Sequence, residues 1–321
     1  MSLMHTSFTR RRAATLTVTA LAVALAAAGC GGGDGTAPAL PGNSGTGSDG
    51  VIAQSVYDAA PVATDADIPA GSTMDAIRKR GHLTVGGSLD APLLSQQNPV
   101  SGTIEGFDAD MAKLLAKYII GKPEVKTTTI GTQTREAMLQ AKSVDAVFQT
   151  YTITPQRATQ VAFAGPYLTS GLAVGVRKDD TSIKSVKDLA GKTVIVGANT
   201  PAVTALPSAA PGSKQVAFGT DPQALQALLQ KRGDAYVQDF TLLASGAKAN
   251  PGMKVVGEPF TTEAYGIGLN REDAQFKEFV NNWLKKIQAD GTWAKVWEGT
   301  LGSVVEGGAP TPPALGSADG S

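Results

Sequence analysis

The stretch DAVFQTYTITPQR, from Asp145 to Arg157, begins as an apolar strand and leaves through an amide and hydroxyls before presenting an arginine. Thr154 and Pro155 make a good N-cap and first helical position, so Arg157 falls one turn into a new helix. A guanidinium there can grip a carboxylate through two parallel hydrogen bonds, with the helix N-terminus adding a favourable field. Thr150 and Thr152 offer neutral hydrogen-bonding groups beside it. Asp239 closes the strand AYVQD and stands where it would cap the helix beginning FTLLAS. Arg135 opens a further predicted helix, TREAMLQAK. The residues that hydrolytic or metal chemistry needs are missing. Beyond the N-terminal segment the one histidine is His82 and the one cysteine is Cys30. No Ser/His/Asp set, metal-ligand spacing or phosphate-binding loop is present, so no catalytic residue, metal or cofactor is implied.

The elements that must position these groups alternate along the chain. MDAIRKRG reads as a short helix stopped by glycine, HLTVGGS as a strand, and GFDADMAKLLAKYI as a helix with Phe107, Met111, Leu114, Leu115 and Tyr118 at helical spacing. VKTTTI, TREAMLQAK and VDAVFQ continue as strand, helix and strand. From Gly171 the pattern restarts with LAVGVRK, SVKDLAG, KTVIVGANT, DPQALQALLQKRG, AYVQD, FTLLASGAK and KVVGEPF. AYGIGLN is one more strand, followed by two helices meeting at Gly291. Strands alternating with helices predict α/β architecture with mostly parallel sheets. There are two such runs, and the closing strand and helices have no sheet of their own. They are expected to return to the first run, giving lobe I at residues 73–172 plus 265–302 and lobe II at 173–264. Two hinge strands would then join the lobes around a cleft.

The 321 residues carry 28 basic and 28 acidic side chains, which gives no basic surface of the kind that binds nucleic acid. Arg10, Arg11 and Arg12 precede a short apolar run from Leu16 to Ala28, and Ala27-Ala28-Gly29-Cys30 follows. This reads as an export signal over residues 1–29, too short and alanine-rich for a membrane span. Its end resembles the bacterial lipobox, which makes Cys30 the expected lipidation site. Removing it takes away three arginines and no acid, leaving 25 bases against 28 acids. GGGDGTAPALPGNSGTGSDG then suggests a flexible tether over residues 30–72, and the Pro/Gly/Ala stretch at 303–321 a disordered tail.

From Met74 to Leu301 the chain resembles the polar amino-acid-binding solute receptors of bacterial ABC importers, extracellular solute-binding protein family 3. The resemblance rests on five motifs in order. These are Gly106-Phe107-Asp108 with Asp110; Asp145 with Ile153-Thr154 and Arg157; Phe163 with Pro166-Tyr167; Asp188-Leu189 with Gly191-Lys192; and DGTWAKVW. The pattern resembles actinobacterial glutamate- and glutamine-binding lipoproteins in particular. It implies a two-lobed, type II periplasmic-binding-protein-like fold.

It also implies roles. Arg157 would receive the ligand α-carboxylate and Asp239 its α-ammonium, while Thr150, Thr152 and Thr200 would supply neutral contacts. Arg135 would meet a side-chain carboxylate, which ranks glutamate first, then glutamine and aspartate. Asn199 and Pro201 depart from the family's Gly-Thr-Thr turn. LDAPLLS, with Asp90, Leu93 and Leu94, replaces the aromatic that many members stack over the ligand. That weakens the case for a long cationic ligand held by stacking, although Asp90 could pair with a cationic one. The expectation is a monomeric receptor, lipid-anchored on the extracytoplasmic face, that is not an enzyme and delivers its amino acid to an ABC permease/ATPase complex. A sensor subunit reporting occupancy to a membrane signalling protein is the alternative, and a dehydratase-like lyase on the same fold is the second.

Overall fold

The computed structural model describes residues 51–305 and 307–321. The export signal, Cys30 and the first part of the expected tether lie outside the described residues. Thirteen strands follow in chain order: β1 Leu83–Gly87, β2 Asp90–Ala91, β3 Ser95–Gln97, β4 Ile104–Glu105, β5 Val125–Thr129, β6 Ala146–Val147, β7 Ala162–Ser170, β8 Leu172–Arg177, β9 Thr193–Gly197, β10 Lys214–Phe218, β11 Ala235–Asp239, β12 Met253–Val256 and β13 Glu263–Leu269. They form two five-stranded sheets, ordered β5-β1-β6-β13-β7 and β10-β9-β11-β8-β12, and a small β2-β3-β4 sheet. In the first sheet β1 runs parallel to β5 and β6. In the second, β9 runs parallel to β10 and β11. The strands that cross between sheets, β13 and β8, pair antiparallel. The fold is α/β with two lobes, the type II solute-receptor architecture expected from the motifs.

Alternation within strands builds a core on each sheet face. In β9, Val194 and Val196 face one apolar cluster of lobe II while Ile195 faces another. Lobe I does the same, with Val147, Tyr151 and Phe163 on one face and Leu83, Val85 and Phe107 on the other. The helices Ala274–Ala289 and Thr292–Gly299 pack on that second face through buried Trp283, Leu284, Ile287 and Trp293. Gly291 between them takes a left-handed φ of 79°, which frees the turn that separates the two helices.

The chain passes between lobes at Gly171 and again between β12 and β13. The passages lie side by side: Leu172 N–H donates to Thr261 Oγ1 at 2.8 Å, and Phe260 N–H donates to Leu172 O at 2.8 Å. A Cβ on Gly171 would stand 2.0 Å from Thr261 O, so only glycine permits this contact.

Two expected flexible segments are packed instead. Residues 51–72 include the helix Gln54–Ala59, with Ile52, Tyr57, Ala60, Ala63 and Ile68 buried. Tyr57 Oη donates to Asp110 Oδ1 at 2.7 Å, and Ala63 N–H to Tyr118 O at 2.8 Å. The apolar residues dispersed through VIAQSVYDAAPVATDADI suggest a linker by sequence, but Ile52, Tyr57, Ala60, Ala63 and Ile68 cover lobe I. The C-terminal stretch likewise lies on lobe I. Ala309 and Leu315 pack against its core, and Gly316 N–H donates to Gly165 O at 2.9 Å. Small residues with no core of their own can still lie flat on an existing one. Among the described residues no helix is long and apolar enough to cross a membrane.

Candidate functional site

A cleft opens between the lobes at the carboxyl ends of the parallel strands, where ligands bind in open α/β sheets. Lobe I contributes residues just beyond β1, β5 and β6, including Ser88, Ile130 and Thr150. Lobe II contributes the ends of β9, β10 and β11, including Gly197, Phe218 and Asp239.

Arg135, Thr150, Thr152, Thr200 and Asp239 all line this cleft. Arg135 is 2% exposed. Its Nε donates to Thr132 O at 3.2 Å and one Nη to Gln149 O at 3.1 Å, and its guanidinium lies 4.2 Å from the ring centre of Tyr151. Burial, aided by the charge of Arg157, pulls its pKa down to about 9, which leaves it cationic at neutral pH. Among the cleft-lining residues Arg135 is the one base, against five acids: Asp90, Asp108, Asp221, Asp239 and Glu263.

The two carboxylate oxygens of Asp239 differ. Oδ1 caps the helix Phe240–Ala249, accepting from Thr241 N–H at 2.8 Å and Leu242 N–H at 3.2 Å. Oδ2 is buried without a well-aligned hydrogen bond, and the hydroxyl of Ser170 stands beside it, close enough to act on its charge. Burial raises the carboxyl's pKa, and the surrounding donors oppose that rise. Gln149 Oε1 and Tyr265 Oη are also unpartnered and buried at this cleft. Orphaned buried polar groups of this kind cost free energy unless a partner arrives.

Thr150 is held at a φ of +42°, a strained choice for a β-branched residue, and its N–H donates to Asp108 Oδ2 at 2.9 Å. Tyr167 Oη donates to Asp108 Oδ1 at 2.7 Å. Burial, reinforced by the charge of Asp239, pushes Asp108 up to about 6. Thr152 Oγ1 donates to Glu263 Oε2 at 3.0 Å, and burial with the Asp239 charge pushes that carboxyl up to about 7. Thr200 Oγ1 donates to Gly197 O at 2.7 Å. Pro201 opens the helix Pro201–Ala209, a position where the missing N–H has no helical partner to lose.

Arg157 stands at the cleft's edge and is not among its lining residues. Its helix start forms as expected, with Thr154 Oγ1 accepting from Arg157 N–H at 3.2 Å. Its guanidinium, however, spans the lobes. One Nη donates to Thr152 O at 2.7 Å, the other to Asn199 O at 2.7 Å, and Nε lies 3.7 Å from Glu136 Oε1. The neighbouring turn adds Thr132 Oγ1 donating to Ala198 O at 2.7 Å and Asn199 Nδ2 donating to Thr132 O at 3.3 Å. Asn199 has a φ of +57°, which asparagine tolerates, so it serves where the family uses glycine. Glu136, adjacent to Arg135 in the chain, faces Arg157.

Asp221, Glu263 and Tyr265 carry no assignment from sequence, and Gln149 enters there only as the amide where the strand DAVFQ ends. Asp221 had a legible signal, since GTDPQAL follows β10 as ANTPAVT follows β9. Glu263 had none, because it reaches the cleft only through the return crossing.

A model of the bacterial extracellular solute-binding proteins, family 3, matches residues 83–302. A glutamine-binding protein of Geobacillus stearothermophilus is 38% identical over 215 residues, 66% of this chain and 81% of that protein. The glutamate-binding protein GluB of Corynebacterium efficiens is 32% identical over 260 residues, 76% of this chain and 88% of its own. Among solved structures, the ancestral amino acid-binding protein AncCDT-1, a precursor of cyclohexadienyl dehydratase, matches with a TM-score of 0.65 and 35% identity. That match covers 72% of this chain and 100% of the other. With the two-lobed fold and polar cleft already described, the match over most of the chain settles its family: the chain belongs to the bacterial extracellular solute-binding proteins, family 3.

Proposed function

We propose that this protein is an extracytoplasmic receptor that closes on a free polar α-amino acid and delivers it to an ABC importer. The observation that carries the reading is Asp239 Oδ2, a buried carboxylate oxygen with no well-aligned donor and the Ser170 hydroxyl beside it, in a cleft whose one lining base is Arg135. A zwitterion supplies what each lacks: an ammonium for Asp239 and a carboxylate for the arginine side. Relatives named for glutamine and glutamate support the amino-acid class.

The α-carboxylate is received at the Tyr151 platform. Arg135 and Arg157 lie 4.2 and 5.0 Å from the centre of that ring. Arg135 meets the carboxylate from inside the cleft, and Arg157 trades Asn199 O for a carboxylate oxygen as the ligand enters. With both arginines so used, no base lining the cleft remains for a second carboxylate. Glutamine therefore moves ahead of glutamate, which the sequence had ranked first. Thr150, Thr152 and Thr200 hold the strand ends and turn in place around the ligand.

A thermal-shift screen of the domain against the common amino acids tests the reading. A ligand at ~100 times its Kd stabilises the fold by about 2.7 kcal/mol. A screen in which no amino acid raises the melt overturns it, and consumption of the ligand during the assay favours the lyase alternative. The lipid anchor at Cys30 is proposed on the AAGC sequence alone. Mass spectrometry of membrane fractions, with Cys30→Ala released to the medium, checks it.

A further inference from the structure

The far wall of the cleft carries a carboxylate that the amino-acid core does not use. Asp221 opens the helix Asp221–Leu229, three residues beyond Phe218 at the end of β10, and lines the cleft with it. Its orientation is fixed by a chain of hydrogen bonds along β11. Asp239 N–H donates to Gln238 Oε1 at 3.1 Å, Gln238 Nε2 donates to Tyr236 Oη at 2.9 Å, and Tyr236 Oη donates to Asp221 Oδ1. Tyr236 and Gln238 are 1% and 7% exposed, so the chain is held by packing. One strand thus carries Asp239 and, through its side chains, aims Asp221 into the same space.

The surroundings favour incoming donors. Asp90, from lobe I, lines the same cleft, close enough for its charge to act on Asp221. The unpartnered oxygens include two acceptors, Asp239 Oδ2 and Gln149 Oε1. Phe218, Leu94 and Leu242 give apolar wall for an aliphatic stem. A ligand ending in a carboxylate would bring a further negative charge to Asp221 and Asp90. One ending in amide, ammonium or guanidinium nitrogens would bring matching donors.

We propose that Asp221, held by Tyr236 and Gln238, selects the ligand's side chain, requiring nitrogen donors at its far end and rejecting a carboxylate. The assignment rests on the amino-acid-receptor reading.

Calorimetric titration of the wild type, Asp221→Asn and Tyr236→Phe with glutamine, arginine and glutamate tests it. The wild type is expected to bind glutamine or arginine at least about tenfold more tightly than glutamate. Asp221→Asn should compress that ratio by about tenfold, chiefly by weakening the nitrogen-bearing ligand. Tyr236→Phe, which frees the carboxylate without removing it, should compress it by less. A wild type that prefers glutamate overturns the assignment while leaving the receptor reading intact. So does an Asp221→Asn protein that melts normally and weakens all three ligands equally. If Asp221→Asn does not fold, the wild-type ranking and Tyr236→Phe decide. A wild type that binds no amino acid at all overturns the receptor reading and this assignment together.

Discussion

One Nη of Arg157 donates to Asn199 O at 2.7 Å, joining the helix start of lobe I to a left-handed turn of lobe II. Thr132 Oγ1 makes a second link to the same turn through Ala198 O, also at 2.7 Å. Both bonds exist only while the lobes are together. The Arg157 bond is given up as the carboxylate enters, whereas the Thr132 bond persists and stabilises the closed, liganded form. Thr132→Val removes one of them while keeping the side-chain shape. A single hydrogen bond contributes about 0.5–1.5 kcal/mol, which corresponds to about two- to tenfold. Ligand release measured by stopped flow is expected to speed up by that factor, with little change in the melting temperature.

The two arginines around Tyr151 are expected to act on every amino acid alike. Arg157→Ala should cost about a hundredfold or more in affinity, because it strips a buried charge partner from the carboxylate end. Arg135→Ala should weaken glutamine and glutamate by similar factors. Selective loss of glutamate in that variant would restore Arg135 to the side-chain role that its sequence motif suggested.

The acid-rich cleft sets a pH dependence. Asp108 and Asp221 are pushed up to about 6 and Glu263 to about 7, with burial the largest cause in each case. A folded-state pKa above the unfolded value means that the native protein binds more protons through that interval. Its contribution to stability is fully present below about pH 4 and is lost as pH rises to about 7. The ligand-free domain should therefore lose stability from these groups between pH 4 and 7. An ammonium-bearing ligand favours the ionised carboxylates, so its stabilising shift should grow over the same interval. Differential scanning calorimetry with and without ligand at pH 5 and 7.5 checks both signs.

Much of this fold was legible because its signals are local. Strand alternation, the Gly81 and Gly291 stops, and the Thr154-Pro155 helix start all act within a few residues of one another. The cleft residues at strand ends followed from the same logic. What was not legible depended on tertiary partners. Glu136 and Glu263 acquire meaning only from Arg157, Thr152 and Asp239, which are distant in sequence or brought across the hinge. Residues 51–72 read as linker because their apolar residues make neither a strand alternation nor a long helical stripe, and only lobe I supplies the surface that buries Ile52, Tyr57 and Ile68. Asn199 departs in sequence from the family's Gly-Thr-Thr turn, yet it adopts the left-handed turn and adds an amide bond to Thr132.

The central claim is that Asp239 receives the ammonium of a free amino acid, and calorimetric titration of Asp239→Asn against the wild type tests it most directly. Asparagine retains an oxygen for the Thr241 and Leu242 N–H groups, so the helix cap and the melting temperature should be largely preserved. It turns the acceptor facing the ligand into a donor or a neutral oxygen. The account predicts a folded variant whose affinity for every amino acid falls by about a hundredfold or more. A variant that binds as tightly as the wild type would contradict it.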